Sequence, residues 1–180
     1  GNMLLGSFFG VMVSFFTGSW ILGVLAAVFA GILASLFFAL ITLKLSGVEL
    51  VVGFSMNVLL SGLTTYMLRT IFGVSGSLVS ERIVGIPAIN LPGLSDIPLL
   101  GGLFNGQNIL IYFSFTSVLI AAFIFKRTQF GLKVISCGEN PQAAATVGIN
   151  VLSVRMACLI ISGVMCGLAG AQLSLGFLSL

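Results

Sequence analysis

Two short stretches of the sequence carry the polar groups that could do chemistry. In GFSMNVLLSGLTTYMLR, residues Gly53, Asn57, Ser61 and Thr65 recur at four-residue steps with Thr64 beside them, so a helix would set them along one face. One amide and three hydroxyls suit ribose, a nucleoside or another sugar alike. Asn57 is the costly member, because an amide in hydrocarbon must find a partner. An interhelical hydrogen bond and contact with a polar solute in a pathway both meet that need. The second stretch, CGENPQAAATVGINV, runs from Cys137 to Val151 between two apolar segments. Neither stretch offers covalent chemistry. The chain has no histidine, and its four carboxylates are scattered over three loops. That gives no acid/base pair, no nucleophile beside a base and no metal cluster. There is no GxxxxGK[ST] phosphate loop, and Cys137, Cys158 and Cys166 lack CxxC spacing, so they read as small buried hydrophobes. The expectation is a chain that is not an enzyme and holds no cofactor and no metal. Any energy source must then be a partner or an ion gradient. A gradient-driven carrier usually has ionisable residues inside its spans, and none lies squarely inside one here.

The elements that position these groups are membrane helices. The chain is 58% hydrophobic and 6% charged, with mean hydropathy +1.25, far from the roughly 25% charged residues of a soluble domain. A span needs about 20 apolar residues. The long uncharged start breaks at Thr17-Gly18-Ser19, and five membrane segments follow: 2–16, 20–43, 50–68, 108–125 and 151–176. The fold class is therefore all-α, a polytopic transmembrane helical bundle. Gly23, Ala27, Gly31, Ser35 and Ala39 form a four-residue stripe in the second segment, Gly163, Gly167 and Gly170 another in the last, and Gly6 with Gly10 a third. Small residues at this spacing let helix backbones approach closely, and tight packing is preferred over pore lining for them. The chain opens inside one apolar run and stops inside another, so a piece of a longer membrane protein is expected.

The net charge of +3 is placed for a membrane and not for nucleic acid. Lys126, Arg127, Lys133 and Arg155 flank the 126–150 loop, which the positive-inside tendency makes cytoplasmic. Counting back puts the 44–49 loop inside and the 72–107 loop outside. The outer loop has three prolines and many apolar residues, and reads as an ordered cap on the membrane face. In the inner loop, Asn140, Pro141 and Gly148 supply an N-cap, a first-turn proline and a terminating glycine for a miniature helix. Its exposed side is expected to be Ala143, Ala144 and Ala145, with Glu139 as a charged handle. Two readings are open on the residues alone: a helix that enters a partner's groove, or a turn packed on its own bundle.

The run FGLKVISCGENPQAAATVGINVLSVRMACLIISGVMCGLAGAQLSL resembles the coupling loop and following helix of permease subunits in bacterial ATP-binding cassette importers for simple sugars and nucleosides. GFSMNVLLSGLTTYMLR and LPGLSDIPLLGGLFNGQNILIYFSF also resemble that family, and its nucleoside-importing branch more than its ribose branch. The start departs from the family pattern, with Gly1-Asn2 where an acidic Glu-Gly pair is expected. The resemblance implies that Glu139, Asn140, Pro141, Gln142, Ala143, Ala144 and Ala145 form a short cytoplasmic coupling helix resting in a cleft of a separate ATPase subunit. It also implies a second permease subunit, identical or not, an extracytoplasmic solute-binding protein, and residence in the bacterial cytoplasmic membrane. Asn57, Ser61, Thr64 and Thr65 are the solute-pathway candidates. The alternatives are a gradient-driven carrier or channel without an ATPase, and a non-transporting membrane scaffold.

Overall fold

The structure, a computed structural model, describes residues 1–45, 47–73, 88–89 and 107–176. Helix α1 (Asn2–Thr17) ends where Gly18 takes a left-handed φ of 66°, its N–H returning to Ser14 O. A residue with a side chain would be strained at that φ, so the glycine permits the tight reversal into α2 (Trp20–Ala39). A π-helical turn, Leu40–Lys44, continues α2. Helix α3 (Glu49–Phe72) follows and stops at Gly73, again left-handed. After it come α4 (Ile109–Arg127), α5 (Gln129–Glu139), α6 (Pro141–Thr146) and α7 (Val151–Ala171), the last continued by a second π-helical turn, Gln172–Gly176.

The described chain is all-α apart from one two-residue pairing, Ala88–Ile89 antiparallel to Gln107–Asn108. Trp20–Lys44, Glu49–Ile71, Ile109–Arg127 and Val151–Gly176 are long and apolar enough to cross a membrane. The first expected segment, α1, is equally apolar but has 16 residues, about 24 Å at the usual rise. The cap expected over 72–107 lies outside the described residues except for Phe72, Gly73 and that strand pair.

Helices α1, α2 and α7 form the packed centre. Along α2 the buried residues are Gly23, Ala27, Ala30, Gly31, Ala34, Ser35 and Ala39. Opposite them, α7 buries Gly163, Gly167 and Gly170. A methyl placed on Gly31 would strike Gly163 O, one on Gly163 would strike Ser35 Oγ, and one on Gly170 would strike Met3 O. On Gly167 it would lie 2.5 Å from Ala27 O, and on Gly23 2.7 Å from Gly10 O. The helices thus touch backbone to backbone, as membrane helices must when burial of apolar surface gives them no drive to associate. Helix α3 leans on this trio through Met56 and Leu60, which join Leu5, Ala30 and Ala34 in one apolar cluster flanked by Phe9 and Phe38.

Candidate solute cavity and coupling loop

Asn57 lies in the middle of α3, and the way α3 leans leaves an open space beside it. A cavity of about 710 Å³ opens between α3, the first residues of α1, α2 and α7. Its polar lining includes Asn57, Ser35, Ser162 and Glu49, with Gly53 as a smooth wall. Among the described residues the Asn57 amide makes no hydrogen bond, and its Oδ1 faces Gly1 at the α1 end. An amide with spare donors and acceptor in a space of this size can take a polar solute.

The other residues of the candidate face sit elsewhere. Ser61, Thr64 and Thr65 do not line this cavity. Four-residue steps on a 3.6-residue helix drift by about 40° each, which turns Thr65 away, while Ser61 and Thr64 stand further along α3 than Leu60, where the lining ends. Thr64 is buried, whereas Ser61 and Thr65 are exposed. All three hydroxyls are taken up by their own helix: Ser61 Oγ donates to Val58 O at 2.9 Å, Thr64 Oγ1 to Leu60 O at 2.9 Å, and Thr65 Oγ1 to Ser61 O at 2.8 Å. Ser35 and Ser162 were not singled out as solute contacts from the sequence. Each sits within a run of small packing residues, and only the tertiary arrangement turns it to the cavity.

The loop between α4 and α7 is built by local capping. Thr128 makes the corner, its Oγ1 accepting from Gly131 N at 3.2 Å and donating to Ile124 O at 2.6 Å. Gly131 is required there, since a Cβ would strike Ile124 O and the Phe125 backbone. Helix α5 follows, amphipathic, with Gly131 and Cys137 buried. The expected 126–150 loop thus contains a further helix, whose cap and apolar spacing are carried by Thr128 and the run FGLKVISC. Next, Asn140 Oδ1 accepts from Ala143 N at 3.1 Å, Pro141 occupies the first turn of α6, and Gly148 (φ 84°) ends it with its N–H on Ala145 O. Asn150 then caps α7 by accepting from Ser153 N at 3.2 Å.

One expectation about α6 is corrected. Ala144 does not belong to its exposed side: it is 5% exposed and its carbonyl accepts from Ile149 N at 3.1 Å. The chain leaving α6 folds back under that face, so Ala144 packs inward. The outward surface comprises Glu139, Gln142, Ala143, Ala145 and Val147, the last 80% exposed. Pro141 is half-buried beneath them.

Among the described residues no cluster of His, Cys, Asp or Glu could hold a metal ion. No solved structure matches the chain. It is similar to the guanosine ABC transporter permease protein NupQ of Bacillus subtilis, 35% identical over 94% of this chain and 55% of that protein. It is also similar to the nucleoside ABC transporter permease protein NupC of Lactococcus lactis, 33% identical over 95% of this chain and 55% of that protein. The chain therefore spans about half the length of these curated relatives. Residues 1–179 match the family described as branched-chain amino acid transport system / permease component, and the chain accordingly belongs to that family of membrane transport permeases.

Proposed function

We propose that the chain is the permease part of an ATP-driven importer that moves a nucleoside or simple sugar across the bacterial cytoplasmic membrane. The observation that carries this reading is the α5–α6 loop: two capped helices that present a small, nearly uncharged outward surface of Gln142, Ala143, Ala145 and Val147 beside Glu139. Side chains this short let a partner's groove close on the helix backbone. The groove belongs to a separate ATPase subunit, which performs the hydrolysis. The chain's similarity to a guanosine permease and a nucleoside permease supports nucleoside transport.

In this reading the α5–α6 loop is cytoplasmic, 72–107 is extracytoplasmic, and a second permease subunit and an extracytoplasmic binding protein complete the assembly. Closure of the ATPases on ATP presses α6, which is joined to α5 through Asn140 alone and to α7 through residues 147–150. Because α7 meets α1 and α2 through glycine backbone, the displacement passes into the trio with little loss and reaches the space beside Asn57. There the spare amide hydrogen-bonds the solute.

The test is uptake of radiolabelled guanosine by proteoliposomes holding the complete transporter. Uptake should require ATP on the ATPase side and stop when the ATPase subunit is left out. Uptake driven by a sodium or proton gradient without ATP would make the protein a gradient-driven carrier instead.

A further inference from the structure

A second cavity, about 340 Å³, lies next to the first at the α5 end of the bundle. The two share Phe38, Glu49 and Leu159 as common wall. Its own lining adds Thr42 from the π-helical turn, Arg155 and Cys158 from α7, and Cys137 and Gly138 from α5. Its volume is that of a small-molecule site, for which about 300 to 1,000 Å³ is usual.

Thr42 is the unusual member. Its Oγ1 is buried and has no hydrogen-bond partner among the described residues, while Ser35, Ser61, Thr64 and Thr65 all return their hydroxyls to a carbonyl of their own helix. The wider winding of a π turn alters the positions of the preceding carbonyls, and such turns recur at functional sites. A buried polar atom left unpaired is costly in the resting protein, so a small shift of the turn that brings this hydroxyl to the cavity, where a ligand can pair with it, is favoured. Beside it stand Glu49 and Arg155, their carboxylate and guanidinium 3.9 Å apart and both exposed, 72% and 46%. A pair this exposed is weak and can exchange its contacts for those of a hydroxyl-bearing solute.

We propose that this inner cavity is a second, exit-side station for the transported solute, divided from the Asn57 cavity by the side chains of Phe38 and Leu159. The station takes a polyhydroxylated solute such as a nucleoside or simple sugar, through the Thr42 hydroxyl, Glu49 and Arg155. Because α5 forms one wall through Cys137 and Gly138, movement of the coupling loop reshapes the station directly. The inference rests on the transport reading given above.

Native thiols report on each space, since Cys166 lines the first cavity and Cys158 the second. In the complete transporter in inside-out vesicles, a membrane-impermeant maleimide would be applied to variants retaining one of these two cysteines. Cys158 should react and Cys166 should not, and either Phe38→Ala or Leu159→Ala should open Cys166 to the reagent. Guanosine should slow the labelling of Cys158, and Thr42→Val should weaken that protection by about three- to tenfold, the loss of one hydrogen bond. Loss of protection in Thr42→Val with unchanged thermal stability separates a solute contact from a structural role. Equal reactivity of Cys166 with and without the two wall side chains, or no protection of Cys158 by guanosine, would overturn the station. Absence of ATP-dependent uptake in the parent protein would instead strike the transport reading, and the labelling pattern would still be read independently of it.

Discussion

Helices α1, α2 and α7 meet one another through glycine backbone, whereas α3 and α4 touch the rest of the chain through side chains and ends. Gly31 against Gly163 and Gly167 against Ala27 leave no room for even one methyl. Helix α4 has no buried residue at all, and Ser114, Thr116 and Ser117 turn their hydroxyls back onto their own helix. It is fixed chiefly at its ends, by Asn108 Nδ2 donating to Gly176 O at 2.9 Å and by the Thr128–Gly131 corner. On α3, Gly62 has nothing within 4 Å of where a Cβ would stand. Both regions are apolar, so hydrophobicity cannot be what separates them. What separates them is whether small residues recur on a face that another helix can reach. The trio is a closely packed frame, while α3 and α4 leave most of their surface uncovered by the rest of the described chain.

The contrast should break most visibly at Gly167. Gly167→Leu forces a branched side chain into Ala27 O and the Val28 backbone, and overpacking of about 1–3 kcal/mol or more should cut the yield of folded protein on size-exclusion chromatography. Normal yield and uptake in that variant would mean that the frame tolerates separation of α2 from α7.

A smaller and more selective effect is expected on the other side of the comparison. Asn57→Leu should lower solute uptake while leaving ATPase association and thermal stability intact, because it removes a hydrogen-bonding group from a cavity and not from a packed interface. A variant that fails to fold would instead make Asn57 an interhelical bonding residue. Smallest of all, Gly62→Ala should raise the melting temperature slightly, since alanine favours a helix over glycine by about 0.8–1 kcal/mol and no neighbour opposes the methyl. Destabilisation there would show that a helix packs on that face in the full assembly.

Much of this architecture is legible in the residues. The Gly18 reversal and the Asn140–Pro141–Gly148 helix follow from local backbone chemistry, which depends on few neighbours, and each forms as its residues dictate. Helix α5 was hidden because a charged, glycine-containing run beside two loops looks irregular until its amphipathic face has a surface to rest on. The π turns after α2 and α7 were not legible, because nothing in Leu40–Lys44 or Gln172–Gly176 distinguishes a π turn from an α turn in composition. The inward side of α6 was also out of reach. In a six-residue helix with three successive alanines, only the path of the returning chain decides that Ala144 is covered and Ala143 and Ala145 are not.

That distinction supplies the measurement closest to the central claim, that a separate ATPase docks on the outward face of α6. Ala145→Arg places a long charged side chain on the outward face without touching the loop's own packing. Burying an unpaired charge in the docked groove would cost about 3–5 kcal/mol, more than a hundredfold in affinity at about 1.4 kcal/mol per tenfold. In the complete transporter the Ala145→Arg permease should reach normal membrane abundance, lose the ATPase from pull-down and lose ATP-driven guanosine uptake. Retention of the ATPase at the parent affinity would contradict docking on that face.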